Sequence, residues 1–71
     1  METDDQELVG KEGHVTGAID PGAMGEVMVP IRGGSETYYA YSTDPGESIP
    51  RGARVLVIDQ SAPRTVIVSK Y

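Results

Sequence analysis

Gly25-Glu26-Val27-Met28-Val29-Pro30-Ile31 is the stretch that decides the fold class. Val27, Val29 and Ile31 fall on alternate positions, with Glu26 and Met28 between them. Side chains of an extended chain point alternately to opposite faces, so this spacing predicts a strand with one buried face. The same chemistry recurs on both sides of it. Val and Ile together number 13 and Leu only 2, while Phe, Trp and Asn are absent. Nine Gly and five Pro interrupt the chain. β-branched residues suit strands and frequent Gly and Pro break helices, and no stretch of ten residues carries a helical stripe. The sequence therefore predicts an all-β domain.

Four more strands are expected. One covers residues 8–19 and carries Gly10, Gly13 and Gly17, which predict bends or bulges of the kind a curved sheet needs. Another covers 36–43 with Tyr38, Tyr39 and Tyr41, a third covers 53–59 and is apolar on both faces, and the last covers 64–69 with Val66 and Val68 on one side. Asp20-Pro21-Gly22 and Asp44-Pro45-Gly46 read as turns, each with an acceptor side chain, a fixed φ and a permissive Gly. Gly33-Gly34 and Ser61-Ala62-Pro63 are expected to join neighbouring strands, and Ile49, inside the long 44–52 interruption, to plug a barrel end. Five short strands in 71 residues must close on themselves or expose long edges. The expected architecture is a five-stranded OB-fold-like Greek-key barrel over residues 8–71, preceded by a flexible acidic tail or linker remnant at 1–7.

Composition excludes several functions. The chain has no Cys and one His, so neither a disulfide nor a thiolate or His-pair zinc site is available. The longest apolar run, Val55-Leu56-Val57-Ile58, is four residues, against the roughly 18 of a membrane span. The acidic opening has no signal-peptide order, so the domain is expected to be soluble as it stands. Net charge is −5, and four of the 11 acids lie in the first seven residues; from Leu8 on there are 7 acids and 6 bases. Without a Lys and Arg surplus, non-specific nucleic-acid binding is not expected.

The residues that carry chemistry elsewhere are weak candidates here. Ser69 and Lys70 are adjacent on an expected strand and point to opposite faces, so they form no dyad. His14 faces outward if Val15 faces in. The carboxylates are scattered, and Asp20 and Asp44 read as turn residues. Gly33-Gly34-Ser35 lacks the Lys and helix of a phosphate loop. Catalytic, cofactor and metal residues are therefore all expected to be absent.

Tyr39 and Tyr41 are the stronger candidates. Alternation sets Tyr38, Ala40 and Ser42 on one face and Tyr39 and Tyr41 on the other. An exposed Tyr pair has three readings: an aromatic pair covering a barrel seam, an anchor for a protein partner, or a platform for bases. Arg51 and Arg54, flanking Gly52, are either solubilising rim charges or a weak contact for acidic headgroups, about 1 kcal/mol each.

One ordered set of motifs is more specific than composition. Leu8-Val9-Gly10-Lys11-Glu12-Gly13-His14-Val15 is followed by Ile19-Asp20-Pro21-Gly22 and Gly25-Glu26-Val27-Met28-Val29. Tyr38-Tyr39-Ala40-Tyr41-Ser42, Ile49-Pro50-Arg51-Gly52 and Val55-Leu56-Val57 complete it. This pattern, over about residues 8–69, resembles the C-terminal soluble domain of the NfeD (nodulation-efficiency protein D) family. Tyr38 stands where that family commonly has Trp, and the turn at Pro21 is longer. The resemblance implies an OB-fold barrel that follows transmembrane helices in its parent, with Tyr38 and Ala40 as framework positions facing the core. It also implies a membrane-surface setting and a stomatin- or flotillin-like membrane scaffold as partner. On this reading the chain is a non-catalytic interaction domain that docks such a scaffold or self-associates, with Tyr39, Tyr41, Arg51 and Arg54 as partner-binding candidates. The competing reading is a free-standing OB module for single-stranded nucleic acid or an oligosaccharide.

Overall fold

The computed structural model describes residues 8–31 and 33–71. The tail expected at 1–7 lies outside the described residues. Five strands follow in order: β1 (Glu12–Gly17), β2 (Gly25–Ile31), β3 (Gly34–Ser42), β4 (Arg54–Ala62) and β5 (Thr65–Lys70). They form a closed barrel in the order β1-β2-β3-β5-β4, with β4 pairing back to β1. The β3–β5 pair is parallel and the other four pairs are antiparallel. This is the expected five-stranded OB-like Greek-key barrel, whose closure pairs every strand on both sides.

The core follows from the alternation. Val15, Val27, Val29, Ala40, Val55, Val57, Val66 and Val68 are all at most 1% exposed. They are inward positions of the strands, and β-branched side chains pack well on a pleated face. Leu8, Ile19 and Ile49 complete the buried set from outside the strands. Ile19 and Ile49 form an isolated bridge, with Ile19 N–H donating to Ile49 O at 3.0 Å and Ile49 N–H to Ile19 O at 2.8 Å. Ile49 thus seals a barrel end, as its place between turns suggested. Tyr38, Ile31 and Ala53 pack against the core from its margin.

β2 spans the expected residues, but other boundaries differ. β1 is shorter than 8–19, because Leu8 and Ile19 serve as plugs rather than ladder residues. β3 begins at Gly34, which pairs with Ile31, so only Gly33 of the Gly-Gly pair is in the turn. β4 runs to Ala62, and Arg64 belongs to the turn before β5. β4 is also not apolar-buried on both faces. Its register shifts between Val57 and Asp59, and Ile58 is turned out at 43% exposure. A shift in the β1–β2 ladder, between Val15 and Gly17, supplies the bulge that the glycines of β1 predicted.

Candidate functional site

β3 carries the candidate face. Ala40 is fully buried between β2 and β5, paired with Gly25 on one side and Val66 on the other. Fixing Ala40 inward forces its neighbours outward, and Tyr39 and Tyr41 are 49% and 42% exposed. Tyr39 lies between Glu26 and Thr65, and Tyr41 lies beside Ile67. Ile67 is half-buried and pairs in turn with Asp59, next to the outturned Ile58. On the other flank Met24, 46% exposed, precedes Gly25, the β2 partner of Ala40. Tyr41 and Ile67 are therefore neighbouring outward apolar side chains on β3 and β5, with Tyr39 beside Thr65 on the same side and Ile58 further round the barrel on β4.

Beside Tyr41 a crevice of about 130 Å³ opens among Ile19, Asp20, Ala23, Ser42, Asp44 and Glu47. Its walls are local turn chemistry. The Ser42 hydroxyl donates to Glu47 Oε1 at 2.9 Å, and Asp44 N–H donates to Ser42 Oγ at 3.0 Å. Gly46 N–H donates to Asp44 Oδ1 at 3.0 Å, the side-chain-capped turn expected of Asp44. Asp20 holds its turn differently, its backbone carbonyl accepting from Ala23 N–H at 2.9 Å. Asp20, Asp44 and Glu47 all line this crevice. Among the described residues no Lys or Arg pairs with any of them.

The two arginines lie elsewhere. Arg54 opens β4 opposite His14 of β1, and its guanidinium reaches Glu12 at 3.8 Å. Arg51 sits in the turn that Gly52 ties to Val15 by an N–H donated to its carbonyl at 2.7 Å. In the strand order, β1 and β4 lie across the barrel from β3. The four expected partner-binding residues therefore divide into two surfaces, the tyrosines on one and the arginines on the other. His14 is exposed while Val15 is 1% exposed, as alternation required. Ser69 Oγ donates to the Lys70 carbonyl at 3.4 Å, a contact within its own strand. Among the described residues no group of three His, Asp or Glu converges to hold a metal ion, and no helix is long and apolar enough to cross a membrane.

Sequence reading missed Met24, Ile58, Ile67 and the meeting of Asp20 with Asp44. Each depends on strand register, on a bulge or on the parallel β3–β5 pair, none of which periodicity reveals. It also missed Arg64, whose guanidinium lies 5.6 Å from the Tyr38 ring centroid and donates to the Thr37 carbonyl at 3.0 Å. That stack ties the β4–β5 turn to the start of β3.

The chain resembles several known proteins along most of its length. The family model of the NfeD C-terminal domain matches residues 12–69. The soluble domain of the NfeD protein YuaF from Bacillus subtilis superposes with a TM-score of 0.79 at 29% identity, covering 96% of this chain and 77% of that one. The C-terminal domain of stomatin operon partner protein 1510-C from Pyrococcus horikoshii superposes with a TM-score of 0.71 at 31% identity, covering 99% and 97%. The soluble domain of a Corynebacterium glutamicum membrane protein implicated in regulation of membrane protease activity gives 0.70 at 29%, covering 93% and 95%. No curated protein matches the sequence. With 12–69 matched and the barrel shared with three such domains, the chain belongs to the NfeD C-terminal domain family.

Proposed function

We propose that this barrel is a non-catalytic docking domain of an NfeD-like membrane protein, and that it binds a stomatin- or flotillin-type scaffold through the Tyr39–Tyr41 face. The observation that carries the reading is the pair of half-exposed tyrosines on β3, Tyr41 beside the half-buried Ile67. Tyr supplies a large rigid contact at low entropic cost and is enriched where interfaces are strongest. One structural relative is named as a stomatin operon partner and another as part of a membrane protein, which supports the choice of partner and setting. The nucleic-acid alternative is opposed by charge. Glu26 and Asp59 flank the face and Asp20, Asp44 and Glu47 rim the crevice, so a phosphate backbone meets carboxylates rather than Lys and Arg.

The test is a titration of the ¹⁵N-labelled domain with the soluble part of a stomatin-like protein, with oligo-dT alongside. Amide shifts confined to Tyr39, Tyr41 and their neighbours with the scaffold, lost in Tyr39→Ala/Tyr41→Ala, are expected. Shifts with oligo-dT that vanish at high salt would replace docking by nucleic-acid binding.

A further inference from the structure

We propose that the outer edge of β3 at residues 34–37 receives an extended segment of the partner, which pairs with it as an added strand. This rests on the docking reading and specifies what docks, with Tyr39 as the aromatic anchor at the end of that edge.

Closure pairs β3 on both sides, but not along its whole length. Its parallel pairing with β5 begins at Tyr39 and Thr65, whereas its pairing with β2 continues to Gly34. Residues 34–37, all exposed, therefore run past the seam with β2 on one side only. The direction of the free groups follows from alternation. Tyr39 N–H donates away from β2, to the Arg64 carbonyl at 2.8 Å. Two residues earlier the Thr37 carbonyl points the same way, accepting from Arg64 Nη2 at 3.0 Å. Ser35 is the next residue of that set. Its place opposite Pro30 agrees, because a proline has no N–H to give across the ladder. The Ser35 N–H and carbonyl and the Thr37 N–H thus face outward, and among the described residues nothing pairs with them. An extended backbone presents donors and acceptors at the matching spacing.

A second overhang shows the contrast. Residues 59–62 of β4 also pair on one side only, with β5. There the register shifts at Ile58 and Ser61, Asp59 Oδ1 accepts the Gln60 N–H at 2.8 Å, and the Gln60 amide donates to the Ala62 and Pro63 carbonyls, each at 3.1 Å. Bulges and side chains turned onto the backbone block an edge. The β2–β3 ladder runs to Gly34 without a shift, and the cover on its open side is Arg64 on the Thr37 carbonyl. Arg64 therefore marks the inner end of the free edge. Ser35, Thr37 and Tyr39 share the outward face. A side chain set opposite Thr37 lies diagonal to Tyr39, about 7–8 Å away, a gap that an aromatic or long side chain spans. The segment received is accordingly extended and carries an aromatic residue at that position.

The decisive experiment titrates the capped pentapeptide Thr-Val-Tyr-Val-Thr into the ¹⁵N-labelled domain, with its fully N-methylated counterpart as control. The first is expected to shift the amides of residues 34–37 and Tyr39 and to slow solvent exchange of the Ser35 and Thr37 N–H groups several-fold. The second has no N–H to give and methyl groups along both edges, and is expected to do neither. Ser35→Pro removes one donor from the edge and should weaken binding of the peptide and of the scaffold by about fivefold to tenfold. Arg64→Ala bares the Thr37 carbonyl and should strengthen peptide binding by about threefold. Equal shifts from both peptides, or shifts confined to Tyr41 and Ile67, overturn the added strand. So does a Ser35→Pro protein that keeps its chemical-shift dispersion and binds both probes like the parent. Shifts at 34–37 that grow with protein concentration alone assign the edge to a second copy of the chain and overturn the proposal as well. No shift with the peptide also refutes it, and the scaffold titration then decides separately whether docking itself survives.

Discussion

Gly25 occupies the tightest point of the barrel, and Gly25→Ala should be the most damaging single-methyl addition in the domain. A Cβ there would stand 2.5 Å from Gly17 O, 2.5 Å from Ile19 Cγ1 and 2.7 Å from Ala18 O, where ordinary contact begins near 3.4 Å. Two of the three obstacles are backbone carbonyls, so relief requires the end of β1 to move off β2. That motion strains the Ile19–Ile49 bridge and its two hydrogen bonds. Overpacking costs typically 1–3 kcal/mol, and each weakened hydrogen bond about 1 kcal/mol more. The stiffer unfolded chain returns about 0.4–1 kcal/mol. A net loss of about 2–4 kcal/mol is expected, out of the roughly 4–10 kcal/mol available to a chain of this length. At about 4–8 °C per kcal/mol, Tm should fall by roughly 8–32 °C. Gly22→Ala is the comparison. Gly22 has φ +74° and open space around it, so only the left-handed backbone is penalised, at about 1–2 kcal/mol. Thermal unfolding followed by circular dichroism measures both. A Gly25→Ala protein that melts within a few degrees of the parent, or above Gly22→Ala, would show that the β1–β2 approach is not as close as described.

Further outcomes follow from the same structure. Ile49→Ala should lower stability by about 2–5 kcal/mol, read by urea denaturation, because a fully buried plug leaves a cavity at the barrel end. Thr16 Oγ1 is buried without a hydrogen-bond partner, so Thr16→Val should be neutral or stabilising by up to about 1 kcal/mol in the same assay. Tyr39→Ala/Tyr41→Ala should remove scaffold binding while shifting Tm by only a few degrees, since both rings already face solvent; a collapse in Tm would recast them as a structural seam. The Glu12–Arg54 pair, 46% and 69% exposed, should show a coupling of less than about 1 kcal/mol in a double-mutant cycle, shrinking with added salt.

How much of this was legible in the sequence depends on how local the cause is. β2 reads off directly, because Val27, Val29 and Ile31 alternate without interruption. The outward direction of Tyr39 and Tyr41 is equally local, since it follows from Ala40 facing in. The plugs are harder. Leu8 and Ile19 extend the apolar pattern of β1 and look like strand, yet they fold over the barrel ends. Ile58 is harder still, because a one-residue bulge turns a side chain outward without any mark in the four-residue apolar run that contains it. The acidic crevice and the Tyr41–Ile67 pair are illegible from the sequence. They join Asp20 to Asp44 and Tyr41 to Ile67, residues 24 and 26 positions apart by number, through loop packing and a parallel pairing that only the closed topology supplies.

The parallel β3–β5 pair also has a temporal meaning. β5 is the last strand of the barrel in chain order, and it alone bridges β3 to β4. While the chain is being synthesised, β1 to β4 can pair but the wall stays open between Ala40 and Val57, with two strand edges bare. Such edges are where chains join to one another. The domain therefore spends its birth as an unfinished sheet whose inner valines face solvent or a chaperone, and it becomes safe only when Val66 and Val68 arrive. A stop codon before Thr65 should yield an aggregation-prone fragment rather than a slightly weaker barrel.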